Sequence, residues 1–222
     1  MSKIIITGAT GMVGKGVLLS CLKDASIEKI ILISRRAVGI SDPKIQEIIL
    51  EDFSNLLSIE NQIGEINACY HCMGVSSLGM SEEEFTEKTY LYTKLLADIC
   101  YELNPKSTFC YVSGTGTDET EQGRQMWARV KGKTENYIRN KGFYQVLLFR
   151  PGMILPEDGI QSATNWYNTI YRIMRPLFPL FKKMKSVTTT SRIGSAMING
   201  LKEPVPGVAI LHNKQINAMA NL

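Results

Sequence analysis

The apolar run Ile4-Ile5-Ile6 breaks at once into Thr7-Gly8-Ala9-Thr10-Gly11-Met12-Val13-Gly14. This pattern demands a buried strand, a glycine turn and a helix in immediate succession. Gly8 is needed for the sharp reversal, Gly11 so that the backbone can approach a diphosphate, and Gly14 so that the helix can sit close to the strand. The first helical N–H groups, at Met12 and Val13, add free donors and the positive end of the helix dipole. A glycine triplet alone is a weak signal. Here a strand precedes it and apolar residues at helical spacing follow it, at Val13, Val17, Leu18, Cys21 and Leu22. Residues Gly8, Thr10, Gly11, Met12, Val13 and Gly14 are therefore expected to cradle the phosphates of a dinucleotide.

Short apolar runs recur along the chain at Lys3 to Thr7, Lys29 to Ser34, Gln46 to Leu50, Ile66 to Cys72, Thr108 to Ser113, Tyr144 to Arg150 and Val208 to Leu211. Between them, residues 11–23, 54–63, 81–103, 123–140 and 190–201 carry apolar side chains at three- and four-residue spacing. Ser81 with Glu84 reads as a capping box, and Gly142 as a helix stop. Strands alternating with helices predict right-handed crossovers and a parallel sheet covered on both faces. The expected fold is α/β, a Rossmann-type doubly wound sheet in three layers, αβα. At 222 residues, without a composition break, the chain is expected to form one domain.

Composition excludes several function classes. The 44% hydrophobic and 21% charged content is that of a globular protein, and the net charge of +4 is spread thinly enough that no nucleic-acid partner is expected. The N-terminal strand leaves no room for a signal peptide and no run is long enough to cross a bilayer, so a cytoplasmic address is expected. Cys21, Cys69, Cys72, Cys100 and Cys110 lie in apolar patterns and read as reduced core thiols. Cys69 and Cys72 have the spacing of a metal or redox pair. On a strand they point to opposite faces, and no second ligand pair accompanies them, so no metal is expected.

After Arg150-Pro151-Gly152 the rhythm changes. Pro156, Pro176 and Pro179 punctuate a stretch rich in aromatics, among them Trp166, Tyr167, Tyr171, Phe178 and Phe181. Ligands of open α/β sheets bind outside the carboxyl ends of the strands, so residues 153–185 are expected to be a lid over an unknown small-molecule substrate. An amphipathic membrane-surface helix over residues 166–185 is the competing idea, which Pro176 and Pro179 would interrupt. No membrane partner is expected, and the chain is read as a monomer or homodimer.

The end of the second strand speaks to the cofactor. An NAD site has a carboxylate about 20 positions beyond the glycines to accept from the ribose hydroxyls. This chain has Ser34-Arg35-Arg36 there, and two guanidinium groups suit the 2′-phosphate of NADP. NADP is expected over NAD. Beyond the third strand, Asp52 is placed to accept from the adenine amino group or to cap the next helix, with Phe53 flanking the ring. Cys72-Met73-Gly74 ends the fourth strand where a glycine lets the backbone pass close to a cofactor ribose.

Together these residues resemble the atypical short-chain dehydrogenase/reductases, often described as NAD-dependent epimerase/dehydratase-like, and within them the Tat-interacting-protein-like oxidoreductases. The resemblance runs over nearly the whole chain. It rests on the glycine turn, Asp52, Cys72-Met73-Gly74, Tyr111-Val112-Ser113, Lys131 and Arg150-Pro151-Gly152, and it implies further cofactor contacts at Pro151, Gly152 and Met153. The resemblance also implies that Ser113 orients a tyrosine, while Lys131 lowers that tyrosine's pKa and holds the nicotinamide ribose. The tyrosine belongs four residues before the lysine, and Trp127 stands there. An indole has no titratable hydroxyl, so the standard acid/base is missing. Three outcomes stay open: another donor such as Tyr90, Tyr92 or Tyr167, protonation by water, or cofactor binding without turnover as in redox-sensing relatives. Trp127 then either stacks beside the nicotinamide or is a core side chain. His71 reads as a core imidazole rather than a base, and Arg124 and Arg129 carry no assigned role.

Overall fold

The apolar runs pair side by side, all parallel. β1 (Ser2–Thr7) lies between β2 (Ile27–Ser34) and β4 (Ala68–His71), and β3 (Ile45–Ile49) lies outside β2. On the other side follow β5 (Thr108–Val112), β6 (Gln145–Phe149) and β9 (Gly207–Leu211), giving a seven-stranded sheet of order β3-β2-β1-β4-β5-β6-β9. Two short strands, β7 (Met153–Leu155) and β8 (Val187–Thr189), pair separately. The structure is a computed structural model and describes residues 1–157, 159–160, 178–182 and 184–222.

Successive side chains of a strand point to opposite faces, and this sheet buries both. Ile5, Ile31, Ile33, Cys69, Phe109, Tyr111 and Leu148 enter one core; Ile4, Ile6, Ile30, Leu32, Tyr70, Cys110 and Leu147 enter the other. That is why the strands read as unbroken apolar runs rather than as alternations. The first core is covered by a 3₁₀ segment (Phe53–Ile59) leading into α2 (Glu60–Ile63), by α4 (Tyr92–Leu103) and by α5 (Met126–Asn140). The second is covered by α1 (Met12–Lys23), α6 (Thr190–Lys202) and α7 (Asn213–Met219). The three layers expected from the sequence are present. The strand order reverses direction between β1 and β4, which opens a crevice at the carboxyl edge beside the glycine turn.

Several local expectations need correction. Helix 123–140 begins only at Met126, because the Asp118 carboxylate takes the N–H groups of Thr120 and Gly123, at 3.0 and 2.7 Å, and closes residues 118–123 into a loop. The 54–63 helix winds as a tight 3₁₀ segment through Ile59. The expected helix 81–103 starts at the Ser81–Glu84 capping box as α3 (Glu82–Thr86), but passes through a π turn (Glu87–Leu91) before α4. Strands β7 and β8 and helix α7 were not anticipated. Of the expected lid, Trp166, Tyr167, Tyr171 and Pro176 lie outside the described residues, as does most of the membrane-surface alternative.

Cys69 is buried in the first core and Cys72 packs against the second, so their side chains do face apart. Burial pushes both thiols up, that of Cys72 to about 12. Among the described residues no group of metal-ligating side chains comes together. His71 is fully enclosed, with Nδ1 2.6 Å from Thr7 Oγ1 and Nε2 2.9 Å from Thr93 Oγ1. The Thr93 hydroxyl donates to the Thr89 carbonyl, so it accepts from Nε2–H, and Nδ1 accepts from Thr7. Burial holds the ring neutral, with its pKa down at about 3. It is a core imidazole.

Candidate functional site

At the crevice the ends of β1, β2, β3 and β4 converge on a cleft of about 540 Å³. Gly8, Thr10 and Gly11 form its floor beside Cys72, Met73 and Gly74. Gly8 has φ +72°, the left-handed region, and a Cβ there would stand 2.6 Å from the Cys72 carbonyl. Its own carbonyl accepts from Gly11 N at 2.9 Å, which turns the chain into α1. Met12, Val13 and Gly14 open that helix behind the turn. No side chain caps its N-terminus, so its first N–H groups are left for a ligand.

Ser34, Arg35 and Arg36 form a second wall. Ser34 Oγ donates to the Arg36 carbonyl at 2.8 Å, which fixes the turn carrying both arginines. Neither arginine forms an ion pair among the described residues, and both are exposed. Glu51 and Phe53 complete this end. Of the two roles weighed for Asp52, which do not exclude each other, the cap is present: it accepts from Ser54 N at 2.9 Å, and that bond holds its carboxyl below the usual range. It also accepts from the Tyr92 hydroxyl at 3.3 Å, and Phe53 is buried against the Tyr92 ring at 6.0 Å between centroids. Tyr92, named above as an alternative proton donor, lines the cleft as well, and so does Lys88, which was not singled out from the sequence because the π turn that carries it leaves no apolar signature.

Further along the carboxyl edge lie Ser113, Lys131 and residues 151–153. The Lys131 ammonium donates to the Ser113 carbonyl at 2.5 Å, and burial pushes its pKa down. Pro151 accepts from Thr115 N at 2.9 Å, Gly152 N donates to Asn213 at 3.1 Å, and Met153 begins β7. The structure therefore gathers these residues beside the β5 and β6 ends, and none of them is among the residues lining the cleft at the glycine turn. Ser113 has no tyrosine to orient, since Trp127 stands four residues before Lys131. Its hydroxyl is buried and donates to Glu135 at 2.5 Å, and Glu135 in turn receives Arg150 through Nε at 3.0 Å and Nη2 at 2.5 Å. The exposed hydroxyl on this loop is that of Thr115, which donates to the Arg150 carbonyl at 3.1 Å.

Trp127 is partly exposed, lies against Gly116 and has the Lys131 ammonium 6.0 Å from its ring centre. This places an indole at the mouth of the site, with a cation near its face. Of the alternative donors, Tyr92 donates to Asp52, while Tyr90 lies edge-on to Tyr137 with Lys133 over its ring. Tyr167 lies outside the described residues.

Comparison with known proteins accords with this geometry. The family model described as the NAD dependent epimerase/dehydratase family matches residues 4–141, well over half of the chain. The chain is 23% identical to Protein FMP52, mitochondrial, of Meyerozyma guilliermondii, over 98% of this chain and 95% of that one. It is 25% identical to Protein fmp52, mitochondrial, of Emericella nidulans over 69% and 67%, and 24% identical to Protein HTATIP2 of Rattus norvegicus over 96% and 87%. Among solved structures it is similar to the Bordetella bronchiseptica enzyme WbmH in complex with NAD+, with TM-score 0.69 at 13% identity over 95% of this chain and 75% of that one. A UDP-N-acetylglucosamine 4-epimerase from Bacillus cereus gives TM-score 0.67 at 21% identity over 98% and 84%. At these identities the structural likeness is one of fold.

The relatives' names overturn the cytoplasmic address expected from the sequence, since the fungal proteins are named as mitochondrial. A strand buried from Ile4 onward records how the chain packs and not the compartment in which it works. Among the described residues no helix is long and apolar enough to cross a membrane.

Proposed function

This chain belongs to the NAD dependent epimerase/dehydratase family, and on that premise we propose that it is an oxidoreductase that binds NADP(H) in the cleft and passes hydride to or from a small molecule. The observation that carries the cofactor choice is the pair of guanidinium groups, Arg35 and Arg36, without ion pairs among the described residues, on a cleft wall where Ser34 stands in place of a ribose-binding carboxylate. The glycine turn would hold the diphosphate. Lys131, and the backbone at Pro151, Gly152 and Met153, would flank the nicotinamide half.

Replacing Arg35 and Arg36 together with serine is expected to weaken NADPH binding by roughly 30-fold or more and to leave NADH binding within about threefold, because only NADPH carries the 2′-phosphate. Titration by fluorescence or calorimetry measures both. If the parent chain binds NADH at least as tightly as NADPH, the electrostatic argument for NADP fails.

A second reading, cofactor binding without turnover, is favoured by one feature: neither Trp127 nor the buried Ser113 hydroxyl offers a proton at the site. In the first reading the proton comes from water. A panel of carbonyl, enone and quinone substrates decides between them, since oxidation of NADPH supports the enzyme, and saturable binding without oxidation supports the sensor. In Trp127→Tyr, a phenol returns beside Lys131, and carbonyl reduction is expected to rise by roughly a hundredfold, the usual worth of a positioned acid. No gain would indicate that the pocket lacks a carbonyl-binding geometry.

A further inference from the structure

We propose that Lys88 is a phosphate-binding residue whose ammonium closes over the diphosphate of the bound dinucleotide from the layer opposite to the glycine turn. The inference rests on the cleft being the dinucleotide site.

The two sides of the cleft come from different layers. α1 packs through Val17, Leu18 and Cys21 on one core, and α4 through Leu96, Ala97 and Ile99 on the other. The glycine turn enters from the first layer and Lys88 from the second, yet both line the same cleft. The helical segment after β4 crosses back to begin a parallel strand, so it runs against the strand direction and starts at the carboxyl edge. Lys88 lies about one turn before Tyr92, whose ring marks the Phe53 end of the cleft, and so stands nearer the rim.

Its surroundings leave the charge unanswered. Lys88 is half-buried and has no ion pair or hydrogen bond among the described residues. Neighbouring lysines are engaged: Lys94 and Lys141 with Asp98, and Lys133 over the Tyr90 ring. An ammonium on a cleft wall with no anion of its own is placed to take a phosphate. The residue also sits within the π turn Glu87–Leu91, a distortion that occurs most often at functional positions. Arg35 and Arg36 follow β2, Lys88 belongs to the segment after β4, and β1 with its glycine turn lies between. Of a dinucleotide's charges, the one a glycine turn holds is the diphosphate, and Lys88 lines the same cleft as that turn.

The test uses Lys88→Met, which keeps the apolar stem and removes the charge, with Lys88→Arg as the conservative variant and thermal unfolding as the check on folding. NADPH, NADH and adenosine 2′-monophosphate are the probes. Expected is an equal loss of roughly tenfold for NADPH and NADH in Lys88→Met, unchanged binding of adenosine 2′-monophosphate, and recovery to within about threefold in Lys88→Arg. Unchanged dinucleotide binding in folded Lys88→Met overturns the proposal. So does a loss confined to NADPH and adenosine 2′-monophosphate, which would put Lys88 on the 2′-phosphate. If the parent chain binds neither dinucleotide, the reading of the cleft itself has failed, and the contact falls with it.

Discussion

Replacing Gly14 with alanine is expected to raise the Kd for NADPH by at least about a hundredfold, although a helix interior ordinarily gains from that change. The reason is the absence of space between α1 and the turn. A Cβ at residue 14 would stand 2.6 Å from the Gly8 carbonyl carbon, 2.9 Å from Ala9 N and closer still to the Gly8 oxygen. All three are backbone atoms. Gly8 cannot retreat, because the position of its own absent Cβ lies 2.6 Å from the backbone of Cys72 and Met73 at the end of β4. The strain must therefore go into the Gly8 carbonyl, and the Gly11 N–H bonded to it moves as well. Those are the groups that would shape the proposed phosphate cradle. Titration with NADPH, beside circular dichroism to check folding, measures the effect. Binding within threefold of the parent would remove the glycine turn from any part in holding the cofactor.

A comparable effect, on stability rather than binding, is expected of Glu135→Gln. Glu135 has no solvent exposure, and its carboxylate answers the Arg150 guanidinium and the Ser113 hydroxyl together. Removing one charge of a buried pair leaves the other uncompensated, which costs about 3–5 kcal/mol. Here the lower end is expected, about 3 kcal/mol, because Glu119 lies 3.5 Å from Arg150 and is half-exposed. For a chain of this size that is a fall in Tm of roughly 6–12 °C. The double variant Glu135→Met with Arg150→Met is expected to recover most of the loss, since two apolar side chains leave no charge unpaired. Chemical denaturation of the parent and the two variants measures both changes. A loss below about 1 kcal/mol for Glu135→Gln would mean that Glu119 or water satisfies Arg150. The network also matters to the site, because Ser113 is held by Glu135 through its hydroxyl and holds Lys131 through its carbonyl.

Much of the fold was legible in the sequence. Ile4-Ile5-Ile6, Ile30 to Ile33 and Tyr144 to Phe149 read as strands because a sheet buried on both faces leaves no polar interruption. The Ser81–Glu84 box and the Gly142 stop were readable because they are local hydrogen-bond and backbone-angle chemistry. The π turn was not, because a one-residue widening of a helix leaves apolar spacing almost unchanged. The loop at Asp118 was missed because its closure depends on one carboxylate choosing backbone partners over solvent.

The sequence by itself determined the strand–turn–helix at the N-terminus, the parallel three-layer architecture and the residues that ring the cleft from the ends of β1, β2 and β4. These follow from glycine geometry and side-chain periodicity, which act over a few residues. Only the tertiary structure decided where hydroxyls and charges point. It placed the Ser113 hydroxyl on Glu135 and brought Lys88 and Tyr92 into one cleft with the glycine turn from the opposite layer. The physical reason is that a polar side chain is oriented by whichever partner folding leaves within hydrogen-bond reach. Those partners lie 20 or more residues away, as Ser113 and Glu135 do.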